Sequence, residues 1–165
     1  MGLSRQDGDL YVNGALASKS FTPPASCIGD AAVVASAGIQ STKLQQQPVA
    51  KYAQPGGSTA VTERKETHTV YGATAKIASI KAGLIVANIG AATITVDLLK
   101  NGSSILTSVI TLDNTVAAYG KVNGVVASPN LVQNDVLEVN VVATAGGGTI
   151  GKGVFAHIVI QEDPQ

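Results

Sequence analysis

The sequence predicts an all-β fold: an antiparallel β-sandwich, with jelly-roll topology as its leading version, preceded by an extended N-terminal arm with short helical turns. Three observations predict it. Beyond residue 60 the chain reads as about eight short β-branched runs separated by turns, with no window of helical period. One of those runs, TITVDLLK (93–100), alternates cleanly, placing Ile94, Val96 and Leu98 on one face and Thr93, Thr95 and Asp97 on the other. Before residue 55, by contrast, no period is sustained.

The first third is therefore expected to be an arm, residues 1–55, and the remainder, residues 56–165, a sandwich domain. LYVNGAL (10–16) suits a short strand or a hairpin around Asn13-Gly14. Pro23-Pro24 interrupts any helix or central strand. Asp30 is expected to cap a brief Ala-rich helix ended by Gly38, and Ser41 a second short turn, TKLQQQ, stopped by Pro48. Neither reaches the roughly twelve residues an isolated helix needs in water. The scattered apolar residues Leu10, Val12, Phe21, Ile28, Val33, Ile39 and Leu44 suggest that the arm lies along another surface. AQPGGSTA (53–60) reads as the linker.

Strands follow in order: HTVYGA, AKIASIKAG, LIVANIG and TITVDLLK, then the hairpin signal Asn101-Gly102, then SILTSVITLD. KVNGVVAS precedes a turn, PNLVQND. VLEVNVVAT turns Leu137, Val139 and Val141 inward, and GVFAHIVIQE closes the series. Pattern alone does not give the order of the strands in their sheets.

Eleven basic residues balance eleven acidic ones, so no net field draws nucleic acid or an anionic membrane. Charged residues are 13% of the chain, about half of the roughly 25% usual for soluble domains, and the apolar residues are mostly Ala and Val. Such a surface suits partial coverage by copies of the chain or by a partner. Cys27 is the only cysteine, which rules out an intrachain disulfide. No run of eighteen apolar residues suggests a membrane span, and the opening MGLSRQDGDLYVNG lacks the apolar stretch of a signal peptide, so a cytoplasmic site of synthesis is expected.

ATAGGGTIGKGVF (143–155) falls one residue short of a phosphate-binding P-loop. After Gly146, four residues and Gly151-Lys152, Gly153 stands where a metal-holding hydroxyl is needed. A P-loop also needs a helix to follow, and GVFAHIVI has strand composition, so a turn is expected with Lys152 solvated. His68 and His157 are the only histidines. With Cys27 in the arm and His68 near the linker, no zinc spacing arises, and no metal site is expected. Cys27 has no histidine placed to activate it, and no G-x-S-x-G elbow occurs. Asp135 and Glu138, at the start of a strand, are expected to be exposed. Arg64 and Lys65 are flanked by Glu63 and Glu66, which cancels a basic patch. No catalytic residues, cofactor or nucleic-acid partner are expected.

Residues 11–47, YVNGALASKSFTPPASCIGDAAVVASAGIQSTKLQQQ, resemble the N-terminal segment of small tailed-bacteriophage virion proteins. There a VNG opening leads through an apolar-x-Pro/Ser stretch to a block of the form xxDAxVASxAxIxxxKLQ. The matching positions are Val12, Asn13, Gly14, Asp30, Ala31, Val33, Ala35, Ser36, Ile39, Lys43, Leu44 and Gln45, within about a quarter of the chain. The β half resembles, in architecture only, the jelly-roll trimers of phage head-decoration proteins and of tumour-necrosis-factor-like modules. The resemblance implies a structural virion protein that decorates and cements a capsid as a homotrimer. Its partners would be the major capsid protein and itself, its place the capsid surface after assembly in the host cytoplasm, with no enzyme activity, cofactor or membrane. The alternative it implies is a tail- or head-fibre, receptor-binding component.

Overall fold

The computed structural model describes residues 3–6, 9–12 and 45–163. The chain divides into two compact units, Met1–Gly38 and Ile39–Gln165. In the first, β1 (Leu3–Gln6) and β2 (Asp9–Val12) form an antiparallel hairpin, with Leu3 opposite Val12 and Gln6 opposite Asp9. The expected strand at residue 10 is thus present, paired with the chain before it. Asn13-Gly14, the helix expected after Asp30, residues 41–44 and Cys27 lie outside the described residues.

The second unit is a two-sheet sandwich, and every pairing within its sheets is antiparallel. One sheet runs β3 (Val49–Ala53), β12 (Lys152–Glu162), β5 (Thr74–Val86), with β9 (Lys121–Gly124) and β10 (Asn130–Val132) sharing the far edge of β5. The other runs β4 (Glu63–Thr69), β11 (Val136–Thr144), β6 (Thr93–Lys100), with β7 (Ser103–Ser104) and β8 (Ile110–Leu112) along the far edge of β6. Taking β7/β8 and β9/β10 as one position each, the strands from β3 to β12 fill eight positions. Their order is 1-8-3-6 in one sheet and 2-7-4-5 in the other. That interleaving is the jelly roll, two Greek keys folded into facing sheets.

Alternation explains why the sheets face each other as they do. Ile94, Val96 and Leu98 of β6 and Leu137, Val139 and Val141 of β11 are completely buried, as their spacing predicts. Opposite them stand Ile77, Ile80, Ala82 and Leu84 of β5 and Val154, Ala156, Ile158 and Ile160 of β12. Aliphatic side chains at 20–33 cal/mol per Å², roughly 2 kcal/mol for each fully buried Leu or Ile, supply the main driving force.

Five expectations are corrected. The boundary at 55/56 falls too late, because β3 precedes it and is paired residue by residue with β12, from Phe155–Ala53 to Val159–Val49. AQPGGSTA is consequently no interdomain linker. It carries the chain from one sheet to the other, with Gln54 and Ala60 buried. The turn expected over TKLQQQ is extended at its described end, where Gln46 forms a bridge with Glu162. SILTSVITLD is broken into β7 and β8, because Leu106 bridges Val126 and Thr107 donates its N–H to the Val125 carbonyl at 2.8 Å, drawing the middle of the run away from β6. Finally, the expected turn PNLVQND contains β10, whose Leu131 is buried against β5.

Candidate functional site

The glycine-rich loop is a turn, as its composition predicts. It joins β11 in one sheet to β12 in the other, and a strand follows it, not a helix. Gly146 and Gly147 hold φ of 54° and 88°, and a Cβ on Gly148 would overlap the Ile89 carbonyl oxygen. The glycines let this loop press against residues 87–92, where Ile89 and Thr149 exchange backbone hydrogen bonds of 2.9 Å. Asn88 completes the junction: its amide donates to the Leu112 carbonyl (2.8 Å) and its Oδ1 accepts the Gly151 N–H (2.7 Å). Gly153, at φ 63° and with a would-be Cβ 2.8 Å from Gly56 Cα, is required by packing. The amides of Gly148, Thr149, Gly151 and Gly153 are thus committed to the fold.

At the other end of the sandwich, Asn101 and Gly102 take φ of 49° and 85°, both positive as a type I′ hairpin turn requires. The Asn101 side chain donates to Asp135 Oδ1 (2.6 Å) and accepts the Val136 N–H (2.8 Å). Asp135 Oδ2 accepts the Val132 N–H (2.9 Å) and faces Lys100 Nζ at 3.7 Å. The expectation that Asp135 is exposed is therefore corrected: it is buried, and its acceptors organise two turns. Burial raises its pKa, but the Val132 N–H, the Asn101 amide and Lys100 together outweigh that and hold the carboxyl below its ordinary value. Glu138, by contrast, pairs on the outer face with Arg64, whose Nε donates at 3.0 Å.

The histidines have separate roles. His68 belongs to β4, and its Nε2 lies 2.6 Å from Glu162 Oε1 of β12, so the pair spans the two sheets at the sandwich margin. Further along β3 and β4, the Tyr52 hydroxyl donates to Glu63 (2.9 Å) while the buried Gln54 donates to Tyr52 (2.8 Å) and to the Val61 carbonyl (2.8 Å). Burial, reinforced by the Glu63 carboxylate, pushes the Tyr52 phenol up to about 12. Among the described residues, every buried side-chain nitrogen and oxygen has a partner, and no three His, Cys, Asp or Glu gather as a metal site.

His157 occupies the outer face of the first sheet with Phe155, Val159 and Gln161, as alternation predicts. Register shows what stands beside it. Lys51 of β3 is opposite His157 on one side, Lys81 of β5 on the other, and Asn123 of β9 follows Lys81. One row over, Phe155 lies between Ala53 and Gly83, its ring covering the glycine, and Lys121 is opposite Gly83. Lys76, opposite Gln161, completes the face. Four lysines therefore share it. Asp163 sits at its rim, already accepting hydrogen bonds from Thr74 (2.7 Å) and Gln45 (2.9 Å). The outer face of the second sheet has the opposite character, with Glu66, Asp97 and Glu138 against Arg64 alone.

One further surface residue stands out by its backbone. Tyr119 is 68% exposed yet holds φ 60°, a conformation costly for a bulky side chain, with its N–H bonded to the Leu84 carbonyl at 2.7 Å.

No family model matches the chain, and no curated protein matches it in sequence. Among solved structures, a chain of the Desmodium yellow mottle tymovirus aligns over 98% of this chain and 97% of its own, at 13% identity and a TM-score of 0.26. That score is too low for a shared superposable backbone, so the jelly-roll assignment rests on the strand order itself.

Proposed function

We propose that this chain is a structural virion protein, a subunit that decorates and cements a bacteriophage capsid as a homotrimer. The observation that carries the reading is the strand order, 1-8-3-6 facing 2-7-4-5, an architecture used by viral capsid domains among others. The resemblance of residues 11–47 to phage virion proteins supports it, as does a first unit distinct from the sandwich. In this reading the sandwich forms the trimer and the segment before residue 39 docks on the major capsid protein. Ordering such a segment costs about 1–2 kcal/mol per residue, which extensive contacts and the avidity of three copies would offset. The exposed Val109 and Val125, on the side where residues 105–109 and 125–128 pair, are the proposed subunit contact.

The experiment adds the purified full chain to phage shells assembled without it. Co-sedimentation with the shells, and a native mass three times that of the chain, are expected. A variant lacking residues 1–38 should melt as the full chain does and remain in the supernatant. Full decoration by that variant refutes the docking role, and a stable monomer refutes the trimer. Imaging that finds the chain only at a tail or a single vertex establishes the fibre alternative instead.

A further inference from the structure

We infer that the outer face of the β3–β12–β5–β9/β10 sheet is a docking surface for a carboxylate-rich protein surface, with the row Lys51–His157–Lys81 at its electrostatic centre. Adjacent strands lie about 4.8 Å apart, so the Lys51 and Lys81 backbones stand roughly 10 Å from each other with the imidazole between them. Lys121 and Lys76 extend the positive charge along and across the sheet. Like charges gathered on one sheet face repel, and the rim carboxylate Asp163 is already occupied by Thr74 and Gln45. Among the described residues none of these four lysines forms an ion pair, and a carboxylate-rich partner would supply the complement.

Size and texture fit a protein partner. Four strand positions at about 4.8 Å, by the length of β12 at about 3.3 Å per residue, give roughly 700 Å², close to the 800 Å² or so that each partner contributes to a stable interface. Between the lysines lie aliphatic groups, Val49, Val159 and Ile85, which suit a mixed protein surface. A nucleic acid strand would need aromatic rings free to stack on bases. Phe155 instead lies against Gly83 and packs tilted on His157, with ring centroids 5.6 Å apart.

The test does not depend on the capsid reading. The full chain is titrated with a poly-glutamate peptide and, separately, with an oligothymidylate of equal charge, and amide shifts locate each contact. The peptide should perturb Lys51, Lys81 and His157 and bind more weakly as salt rises. Lys51→Glu combined with Lys81→Glu should lower its affinity at least about tenfold. Lys65→Glu on β4, outside this face, should change it less than about twofold. Unaltered melting confirms that these exposed substitutions leave the fold intact. Equal loss from Lys65→Glu, shifts elsewhere on the molecule, absence of peptide binding, or tighter binding of the oligothymidylate on this face each overturns the proposal.

Discussion

Replacing Asp135 tests the claim that a buried carboxylate holds two turns at one end of the sandwich. Its two oxygens accept from the Asn101 amide at 2.6 Å and the Val132 N–H at 2.9 Å. Hydrogen bonds to a charged group contribute about 1.5 kcal/mol or more each, so Asp135→Ala should cost about 3 kcal/mol. The Lys100 contact, at 3.7 Å and partly exposed, adds less than about 1 kcal/mol. That is a large share of the 5–15 kcal/mol typical of a domain. With a urea slope of about 1.5 kcal/mol/M, the unfolding midpoint should fall by roughly 2 M.

The pH dependence has a definite sign. The folded pKa of Asp135 is depressed, so its contribution is fully present above the unfolded value near 3.9 and is lost as pH falls through the folded value. Urea unfolding followed by circular dichroism from pH 7 to pH 2 should show that acid limb diminished in Asp135→Asn. A midpoint shift below about 0.3 M in Asp135→Ala, or an undiminished limb in the Asn variant, refutes the reasoning.

Three further outcomes are expected. Tyr119→Asn should raise stability by about 1 kcal/mol, since Asn tolerates the positive φ that strains a tyrosine; a loss of stability would mean the ring makes contacts that offset the strain. Gly148→Ala should lower the melting temperature sharply, by at least about 2 kcal/mol in stability, because its methyl group meets the Ile89 carbonyl and the Ala91 and Ala92 amides; a near-neutral effect would show the loop free to move away. Tyr52→Phe should cost about 1–2 kcal/mol at neutral pH. Because the Tyr52 pKa is raised, its contribution is present below about pH 10 and lost as pH rises towards about 12, so alkaline melts of Tyr52→Phe should lack part of the fall seen in the parent chain.

The fold class was legible because β6, β11 and β12 each bury one face and expose the other, and such strands announce themselves by period two. β4 did not, since ERKETHT is polar throughout; it pairs along only one side, with β11, at the margin of its sheet, where little burial is demanded of it. The lysine face was illegible for a different reason. Lys51, Lys81 and Lys121 come from three strands far apart in sequence, and only register unites them. Lys76 and Lys81 are moreover five residues apart, a spacing that strict alternation assigns to opposite faces. In β5, Ile77 pairs with Ile160 and Ser79 with Val159, so Ala78 is an extra residue, and this bulge brings both lysines to the same side.

The polar struts separate the residues that hold the sandwich from those of the proposed docking face. Asn88 ties the strand ends at one end of the sandwich, Asp135 and Asn101 tie the turns at the other, and His68–Glu162 and Tyr52–Gln54–Glu63 fasten the margin where β3, β4 and β12 meet. The interior is filled by aliphatic side chains and the periphery closed by these bonds, in which Lys51 and Lys81 take no part. Substituting those two exposed lysines should change stability by no more than about 0.5 kcal/mol. Reversing Lys51 and Lys81 therefore probes recognition, whereas replacing Asp135, Gly148 or Tyr52 probes the fold, and the two sets of variants should separate cleanly in one melting experiment.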